Sequence, residues 1–411
     1  MMLLRAAWVL PIGRPPLARG WVATDRGRIV AAGGADEALP AGAGPAVDLG
    51  DVALLPGLVN AHTHLELSWL RDRVPPAATF TGWIKQLFAA RGGRIERPGD
   101  DTVTSAAAAA AREARAYGTA LVGDVSNSLA ALDAIADAGL QALVFHEILG
   151  FKAMDAAPVE QAAASRAAVV PPPGVRVTIA PHAPYSVSAE LFQAIRAAVD
   201  RSGLPITSIH VGESPEEIEM LHAGTGPWPS MLRWIGAWRE DWTPPGLGPV
   251  EYLDRLGILD ARTLVVHGVH LQRPALDRLA AIGAPLVTCP RSNQWVGVGM
   301  PAVAAFYEAG VPVAVGTDSL ASVADLNLFE ELKVMRWLAP QVPASRLLES
   351  ATRVGAEALG FGDSHGTLAP GKVADILAVR VPAGVRDVEE HLVTKVQAGD
   401  VAWAVDVVDA V

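Results

Sequence analysis

The fold of this chain follows from one stretch, PGLVNAHTHLE at residues 56–66. It continues the apolar run Val52–Leu55 and places two imidazoles, His62 and His64, at positions i and i+2. In an extended segment such residues point to the same side, so both histidines can reach one metal ion. Two solvated loop histidines are the alternative interpretation. The spacing therefore predicts a metal site if other parts of the chain supply further ligands.

Three later stretches have the same form. SIHVGE at residues 208–213, VVHGVH at 265–270 and VGTDS at 315–319 each place a histidine or an aspartate at the end of a short β-type run. Together with the first stretch they favour one metal centre at the ends of several strands over scattered surface histidines.

The composition excludes several classes of function. Lys and Arg number 33 and Asp and Glu 44, a formal net charge of −11, and no basic cluster stands out. Nucleic acid and anionic membranes are therefore poor partners. The single cysteine, Cys289, cannot form an internal disulfide and fits a reducing cytoplasm. Prolines follow the short apolar run at residues 1–10, so we expect a first strand there rather than a signal peptide, and a soluble, cytoplasmic protein.

The middle of the chain predicts a (β/α)8 barrel, the TIM-barrel form of the α/β class. Eight β-type runs alternate there with helix-type segments such as the Ala-rich residues 102–117. A barrel of this kind carries its chemistry at the carboxyl ends of its strands. The predicted strands are Leu54–Asn60, Ala120–Val125, Gln141–Glu147, Val175–Ala180, Ile206–Val211, Thr263–His267, Pro285–Cys289 and Val311–Gly316.

The two chain ends predict a separate unit. Residues 1–55 and 366–411 alternate short apolar runs with Gly, Pro and Asp. Neither end is long enough to cover a sheet alone. We therefore expect both ends to form one small β-sandwich domain, with the barrel between them at residues 56–365.

One insertion, residues 224–249, interrupts the alternation. Packing of a loop and helix on the barrel rim is the favoured interpretation, because aromatic residues mostly serve packing. An aromatic lid over a flat substrate is the alternative. The insertion contains Trp228, Trp234, Trp238 and Trp242.

Imidazoles and one carboxylate are expected to converge at the carboxyl ends of the strands. Six histidines fall in or just after predicted strands: His62, His64, His146, His182, His210 and His267. From the motif positions we assign His62, His64, His210 and Asp318 as ligands of one Zn²⁺ or Fe²⁺ ion, with a position left for water.

Glu213 has the position of a proton shuttle. It lies three residues after His210, in the turn that leaves the strand, where it can face the metal without binding it. The sequence SPEE at residues 214–217 resembles a helix start. Glu213 can therefore also be interpreted as a negative charge that stabilises the N-terminus of that helix. The two interpretations are compatible, and we assign Glu213 to catalysis.

Seven motifs resemble those of the amidohydrolase superfamily, in the branch of the cytosine deaminases, chlorohydrolases and S-adenosylhomocysteine deaminases. They occur in the family's order and span nearly the whole chain. The set is specific, although each motif alone is not. The motifs are PGLVNAHTH at 56–64, APHAPYS at 180–186, IHVGE at 209–213, VHGVH at 266–270, CPRSN at 289–293, GTDS at 316–319 and GTLAPGKVAD at 366–375.

The resemblance implies the same metal ligands and the same role for Glu213. It makes His267 a catalytic histidine that supports the metal or polarises the substrate, and it places His182 in the substrate site. Similar proteins with two metals carry a carboxylated lysine on the fourth strand. Residues 175–182 contain no lysine, so one divalent metal is expected, with zinc favoured over iron. By the same resemblance a homodimer is a candidate assembly.

Within this branch the resemblance favours an aminopurine nucleoside as the small-molecule substrate. His182, in the motif PHAPY at residues 181–185, resembles the residue that contacts the ribose in adenosine-type deaminases. HLELS at 64–68 and CPRSN at 289–293 are more similar to the 6-amino-6-deoxyfutalosine deaminases of menaquinone biosynthesis. We assign Arg291, Ser292 and Asn293 to substrate binding.

The implied reaction is a hydrolytic deamination. Metal hydroxide attacks C6 of the purine, Glu213 protonates N1, and Asp318 and His267 hold the nucleophile until ammonia leaves. An S-adenosylhomocysteine or adenosine deaminase, or another cyclic C–N hydrolase acting on guanine, a pterin or a triazine, would keep the metal set and change the pocket. An inactive metal-binding homologue is the non-enzyme alternative, and it should have lost Glu213 or a ligand.

The tail of a deoxyfutalosine ends in a carboxyphenyl ketone, which needs an apolar slot and a cation. The segment after the histidine pair offers aromatic side chains, among which we assign Trp83 to the substrate site, and three arginines, Arg71, Arg73 and Arg94. We predict that one of the three pairs with the carboxylate. Solvated surface charges are the alternative interpretation of each.

Overall fold

The computed structural model describes residues 1–94, 96–97 and 99–409, and the middle of the chain forms parallel sheets. Two four-stranded sheets follow one another, and neighbouring strands in each are parallel and consecutive in sequence. Helices connect the strands, as predicted for an α/β region. The strands are Leu58–Thr63, Thr119–Ser126, Gln141–Ile148 and Val175–Pro181 in the first sheet, and Thr207–Val211, Thr263–His267, Leu286–Thr288 and Val313–Val315 in the second.

Backbone hydrogen bonds join the two sheets at both edges. At one edge the amides of Thr317 and Asp318 donate to the carbonyl of His62 at 3.1 and 3.0 Å. At the other edge the amide of His210 donates to the carbonyl of His182 at 2.9 Å. Strand ends that are far apart in sequence therefore lie side by side.

Alternate residues of these strands pack into two layers. In the strand Thr263–His267, Leu264 and Val266 join an inner cluster, while Val265 packs with the surrounding helices. This is the period of two expected for a strand that is buried on both faces. The single cysteine, Cys289, is fully buried in the inner cluster.

Strands from the two ends of the chain pair with each other. In a five-stranded sheet, Val52–Pro56 runs antiparallel to Ile376–Arg380, with Pro56 opposite Ile376. The remaining strands of this sheet are Trp8–Val9, Leu17–Ala18 and Val401–Trp403, and a separate four-stranded sheet contains Met2–Arg5, Trp21–Asp25, Arg28–Gly33 and Ala46–Asp48.

The single strand predicted over Leu54–Asn60 is wrong, because the chain forms two strands there. The first belongs to the chain-end sheet and the second opens the first parallel sheet. Between them, a Cβ added to Gly57 would lie 2.5 Å from Cβ of Ala120 and 3.1 Å from the ring of Trp403. A residue without a side chain fits this passage, so the chain crosses from one sheet to the other at Gly57.

Helices fill the connections, and side chains cap several of them. Asp100 caps the helix Asp101–Ala116 by accepting hydrogen bonds from the amides of Thr102 and Val103. Among the described residues, every helix is too short or too polar to span a lipid bilayer. The α-helices are Phe80–Arg91, Asp101–Ala116, Leu132–Asp137, Ala157–Ala167, Ala189–Arg201, Pro215–Ala223, Pro227–Trp234, Pro249–Arg255, Arg273–Ile282, Pro290–Trp295, Val303–Glu308, Leu328–Leu338, Ala344–Ser350, Arg353–Ala358, Val388–Thr394 and Ala404–Asp409, with 3-10 helices at Leu65–Leu70 and Ala398–Asp400.

Candidate active site

Metal-binding side chains converge where the first and last parallel strands meet. His62 lies near the end of the first strand, His64 follows it, and Asp318 lies beyond the end of the last strand. Oδ1 of Asp318 lies 3.7 Å from Nε2 of His62 and 3.5 Å from Nε2 of His64. The ligand atoms of all three residues lie within 4.8 Å of one another, close enough to share one ion.

Two further histidines extend this group. Ligand atoms of His210 and His267 lie within 4.8 Å of each other and of a ring nitrogen of His62. The ring centroids of His62 and His210 are 5.0 Å apart, and those of His210 and His267 are 5.4 Å apart. The structure thus brings the four residues assigned as ligands together and places His267 beside them as another nitrogen donor.

The chemistry of His62 fits a metal ligand. Its side chain is buried, and within residues 1–94, 96–97 and 99–409 neither ring nitrogen has a hydrogen-bond partner. Burial, followed by the neighbouring imidazoles, holds the pKa of His62 well below its usual value, so the ring stays neutral and keeps a free lone pair. Buried polar atoms are rarely left without a partner. A divalent cation would satisfy one nitrogen, and the donor set of imidazoles with one carboxylate suits zinc.

Hydrogen bonds orient the carboxylate of Asp318. Its Oδ2 atom accepts from Oγ of Ser292 at 2.6 Å and from Oγ of Ser322 at 3.1 Å, which leaves Oδ1 facing the histidines. Asp318 also has a φ of +63°, a conformation that residues other than glycine seldom adopt. Such strain is retained at functional sites when the surrounding contacts support it.

The chain passes close to His62 just before Asp318. A Cβ on Gly316 would lie 2.7 Å from the His62 carbonyl oxygen, so a side chain at this position would push the last strand away from the first. Asn60 ties the same two strands together, donating to Oγ1 of Thr317 at 2.7 Å and accepting from its amide at 3.1 Å. Residues of the opening motif therefore hold the carboxylate ligand in place.

Hydrogen bonds also set which ring nitrogen of two histidines is free. Nδ1 of His210 lies 2.9 Å from the carbonyl oxygen of His182, and Nδ1 of His267 lies 2.9 Å from Oδ1 of Asn293. Both partners are acceptors, so each Nδ1 carries the proton and each Nε2 offers a lone pair to the site. His267 has a φ of +74°, a second strained position in the same cluster.

Glu213 faces His267 from the turn that follows the neighbouring strand, Thr207–Val211. Its Oε1 atom lies 3.6 Å from Nε2 of His267, and its amide donates to the buried carboxylate of Glu217 at 3.0 Å. Burial, followed by the carboxylates of Asp318, Glu217 and Glu216, raises the pKa of Glu213 well above its usual value. Glu213 also precedes Ser214, the N-cap of the helix Pro215–Ala223, so its place at a helix start is observed too. A carboxyl group whose pKa is raised keeps its proton at a higher pH than usual, which suits it to proton transfer.

A cavity opens above this cluster. His64, His182 and Glu213 line its inner end, together with Asp318. Aromatic residues form its walls, and Tyr185 stacks on Trp228 with ring centroids 3.9 Å apart. Aromatic walls next to a few polar groups are typical of sites that bind flat heterocycles.

The tryptophans of the insertion lie both at the cavity and away from it. Trp228 lines the cavity. Trp238 and Trp242 pack against Phe151, with ring centroids 5.7 and 5.4 Å away, as the packing interpretation requires. Trp234 is 63% exposed, outside the cavity wall.

The residues assigned to substrate binding separate into two groups. Trp83 and His182 line the cavity. Ser292 and Asn293 instead support Asp318 and His267, as described above. Arg291 pairs with Asp325 at 2.9 Å and with Glu331 at 3.7 Å, and it does not reach the cavity wall.

None of the three arginines predicted to meet the substrate tail lines the cavity. Arg71 forms two hydrogen bonds of 2.7 Å with Glu113. Arg94 pairs with Asp100 at 2.7 Å, and the guanidinium of Arg73 lies 5.5 Å from the ring centroid of Trp69. The arginine that lines the cavity is Arg91.

The structure also adds Glu147, the last residue of a predicted strand, in which the sequence pattern drew attention only to His146. Side chains alternate along the strand Gln141–Ile148, and Glu147 faces the cavity while His146 is buried away from it. Oε1 of Glu147 lies 3.7 Å from Nδ1 of His210. Burial raises the pKa of Glu147 to about 7. Counting the alternation inward from the strand end could have found this residue.

Glu66, from the opening motif, organises the loop beside Glu147. Its carboxylate accepts hydrogen bonds from Oγ of Ser126 at 2.6 Å, from the amide of Asn127 at 2.7 Å and from Oγ of Ser128 at 2.6 Å. Asn127, held in this way, donates to Glu147 at 3.0 Å and lines the cavity. Glu66 thus supports the cavity wall from behind.

Comparison with known sequences gives a family match and relatives along most of the chain. The profile of the amidohydrolase family matches residues 53–402. An aminodeoxyfutalosine deaminase of Deinococcus radiodurans is 33% identical over 349 residues, which cover 81% of this chain and 79% of that protein. A 5-methylthioadenosine/S-adenosylhomocysteine deaminase of Moorella thermoacetica is 30% identical over 419 residues, covering 97% and 91%.

A solved structure has the same fold. An adenosine deaminase of Xanthomonas campestris, crystallised with bound zinc, superposes with a TM-score of 0.82 at 28% identity, and the match covers 97% of this chain and 90% of that one. The arrangement of strands and helices described above therefore extends over nearly the whole length of both proteins.

Proposed function

Because this chain belongs to the amidohydrolase family and is a hydrolase of carbon–nitrogen bonds in the class of adenosine-type deaminases, we propose that its substrate is 6-amino-6-deoxyfutalosine. The family membership confirms the resemblance drawn from the seven motifs. The product would be the corresponding hypoxanthine nucleoside and ammonia, a step of menaquinone biosynthesis.

One observation carries the proposed chemistry. The buried carboxyl of Glu213 lies beside His267 and opens into the same cavity as His64 and Asp318. A proton shuttle, a neutral imidazole and a metal-ligand set thus surround one small volume next to aromatic walls. This combination supports hydrolysis at the edge of a flat heterocycle better than it supports ion storage, which would not need Glu213.

Each residue of the site would have its own role in the proposed reaction. His62, His64, His210 and Asp318 would hold one divalent cation, with zinc proposed, and that ion when bound would supply the Lewis acidity that makes water nucleophilic at neutral pH. Glu213 accepts a proton from the attacking water and delivers it to N1 of the purine as C6 becomes tetrahedral.

His267 and Asp318 orient the water against the ring, and a second proton transfer, to the amino group, releases ammonia. Aromatic side chains such as Trp228 hold the ring flat during these steps. The nucleoside and one water molecule thus give the hypoxanthine nucleoside and ammonia, and the reaction needs no further reactant.

We also propose the larger architecture. The hydrogen bonds at both edges of the two parallel sheets support one closed (β/α)8 barrel over residues 56–365. The paired strands of residues 1–55 and 366–411 support one small β-sandwich domain.

A screen of the metal-loaded protein tests the function. Ammonia release and product mass are measured for 6-amino-6-deoxyfutalosine, S-adenosylhomocysteine, 5-methylthioadenosine, adenosine, a pterin and cytosine. We expect the highest kcat/KM with 6-amino-6-deoxyfutalosine. Silence on the whole panel with metal bound would support the inactive homologue instead.

A second candidate is an S-adenosylhomocysteine or 5-methylthioadenosine deaminase. The relative of Moorella thermoacetica carries this name and matches 97% of the chain. The metal ligands and Glu213 would be unchanged. The two candidates therefore differ only in the part of the cavity that would bind the tail of the substrate. A higher kcat/KM for S-adenosylhomocysteine would select this one.

A further inference from the structure

The cavity has a single basic side chain at its outer end. Among the described residues that line it, Arg91 is the only lysine or arginine. The nearby arginines are occupied elsewhere: Arg71 with Glu113, and Arg94 with Asp100. Whatever extends outward along the cavity therefore meets one guanidinium.

Arg91 is aligned with the aromatic wall because they share a helix. On the helix Phe80–Arg91, the cavity is lined by residues 80, 83, 84, 87, 88 and 91, the spacing of one helix face. Phe80 contacts Tyr185 at the inner end, with ring centroids 6.4 Å apart. At 1.5 Å of rise per residue, Arg91 lies about 16 Å farther along the axis. Between the two ends the lining side chains of this helix are Trp83, Ile84, Leu87 and Phe88.

A buried carboxylate holds Arg91 in position. Nη2 of Arg91 donates to Oε2 of Glu96, whose side chain is 1% exposed. Glu96 is held in turn by Nε1 of Trp69, which donates to its other oxygen at 3.3 Å. Within residues 1–94, 96–97 and 99–409 the bond to Glu96 is the one hydrogen bond that the guanidinium forms, so its other N–H groups remain for a ligand in the cavity.

We infer that Arg91 binds a carboxylate at the far end of the substrate and selects nucleosides with an anionic, otherwise apolar tail. The inference rests on the proposed deaminase function and names the residue that would discriminate within it. An aryl carboxylate matches the order of features along the cavity, an apolar wall first and one fixed cation beyond it. An amino-acid tail also carries an ammonium group, and the other described residues of this helix that line the cavity have no acceptor side chain for it. Tails with only a hydroxyl or methylthio group gain nothing from Arg91.

The test compares substrates in the wild-type protein first. kcat/KM is measured for 6-amino-6-deoxyfutalosine, for its tail carboxamide, which is neutral and similar in shape, and for adenosine. We expect the acid to exceed the carboxamide by roughly 10- to 100-fold, the contribution of one charge-assisted pair. This comparison needs no variant, so a folding defect cannot obscure it.

Variants then assign the effect to a residue. Arg91→Gln should remove most of the preference for the acid, measured as the ratio of kcat/KM for the acid to kcat/KM for its carboxamide in the same variant. Arg91→Lys should keep part of the preference, because it retains the charge and loses the fork geometry. Arg94→Gln is the matched control, a neighbouring arginine outside the cavity, and should keep the full preference. Circular dichroism and thermal melting verify that each variant is folded.

The outcomes are distinct. Equal rates for acid and carboxamide in the wild type overturn the inference and leave the deaminase function standing. Loss of the preference in Arg94→Gln rather than in Arg91→Gln overturns it as well. No ammonia from any nucleoside is instead a failure of the proposed function.

Discussion

Oε1 of Glu213 lies 3.6 Å from Nε2 of His267, and both side chains are almost completely buried. Nδ1 of His267 bonds to Asn293, so it is Nε2 that meets the carboxyl group. The pair sits beside the ligand cluster without Glu213 belonging to it. This geometry separates metal binding from proton transfer and makes the two experimentally separable.

Glu213→Gln should retain the metal and lose at least about 100-fold in kcat, because an amide cannot carry the proton from water to the ring. Zinc content by elemental analysis and steady-state kinetics measure the two effects. Glu219→Gln, an exposed carboxylate on the following helix, is the control and should behave like the wild type. Near-normal turnover in Glu213→Gln would exclude the shuttle role.

His210→Ala should reduce both metal content and turnover, because it removes one nitrogen donor from the cluster. Metal is measured by elemental analysis after purification and dialysis. His146→Gln is a matched control, since this strand histidine is also buried but faces away from the cavity, and it should keep full metal content. Full occupancy in His210→Ala would contradict the ligand assignment.

Ser292→Ala should weaken zinc binding by roughly 10- to 100-fold, because Asp318 loses the 2.6 Å hydrogen bond that orients it. Competition with a chelator measures the dissociation constant. Ser322→Ala removes the longer bond of 3.1 Å and should have a smaller effect. Unchanged affinity in Ser292→Ala would mean that the other contacts of Asp318 are sufficient to orient it.

Glu331→Gln should flatten the dependence of stability on pH. Burial raises the pKa of Glu331 to about 8, against the opposing effect of Arg291. Between its ordinary pKa and about 8, the folded protein binds a proton that the unfolded chain has released, so the free energy of unfolding falls as pH rises through this window, by up to about 1.4 kcal/mol per pH unit.

Urea unfolding at several pH values measures this slope for Glu331. The stability lost toward pH 8 should be smaller in Glu331→Gln than in the wild type, and the slope that remains comes from other buried carboxyl groups such as Glu147. Glu330→Gln, a partly exposed neighbour, should keep the slope of the wild type. Parallel curves for the wild type and Glu331→Gln would show that Glu331 ionises normally.

The sequence by itself determined the elements whose signals are local. The strand Thr263–His267 was predicted with the bounds observed, because an apolar run between polar turns specifies a buried strand. A histidine or aspartate at the end of such a run comes close to the others, since the carboxyl ends of neighbouring parallel strands meet at one edge of the sheet. The convergence of His62, His210 and Asp318 also needs the hydrogen bonds that join the two parallel sheets, because His62 lies on a strand of one sheet, whereas His210 lies on a strand of the other sheet and Asp318 follows another strand of it.

Tertiary structure decided every feature that depends on distant partners. Arg71 and Arg91 are equivalent as charges in the sequence, but Arg71 is held by Glu113, 42 residues later, whereas Arg91 lies on the helix face that lines the cavity. The need for glycine at position 57 likewise depends on Ala120 and on Trp403, near the other end of the chain, which leave no room for a side chain there. Local propensity can place a helix or a strand, but the direction in which an arginine points depends on which carboxylate the fold brings within reach, and no pattern within a short window of sequence contains that information.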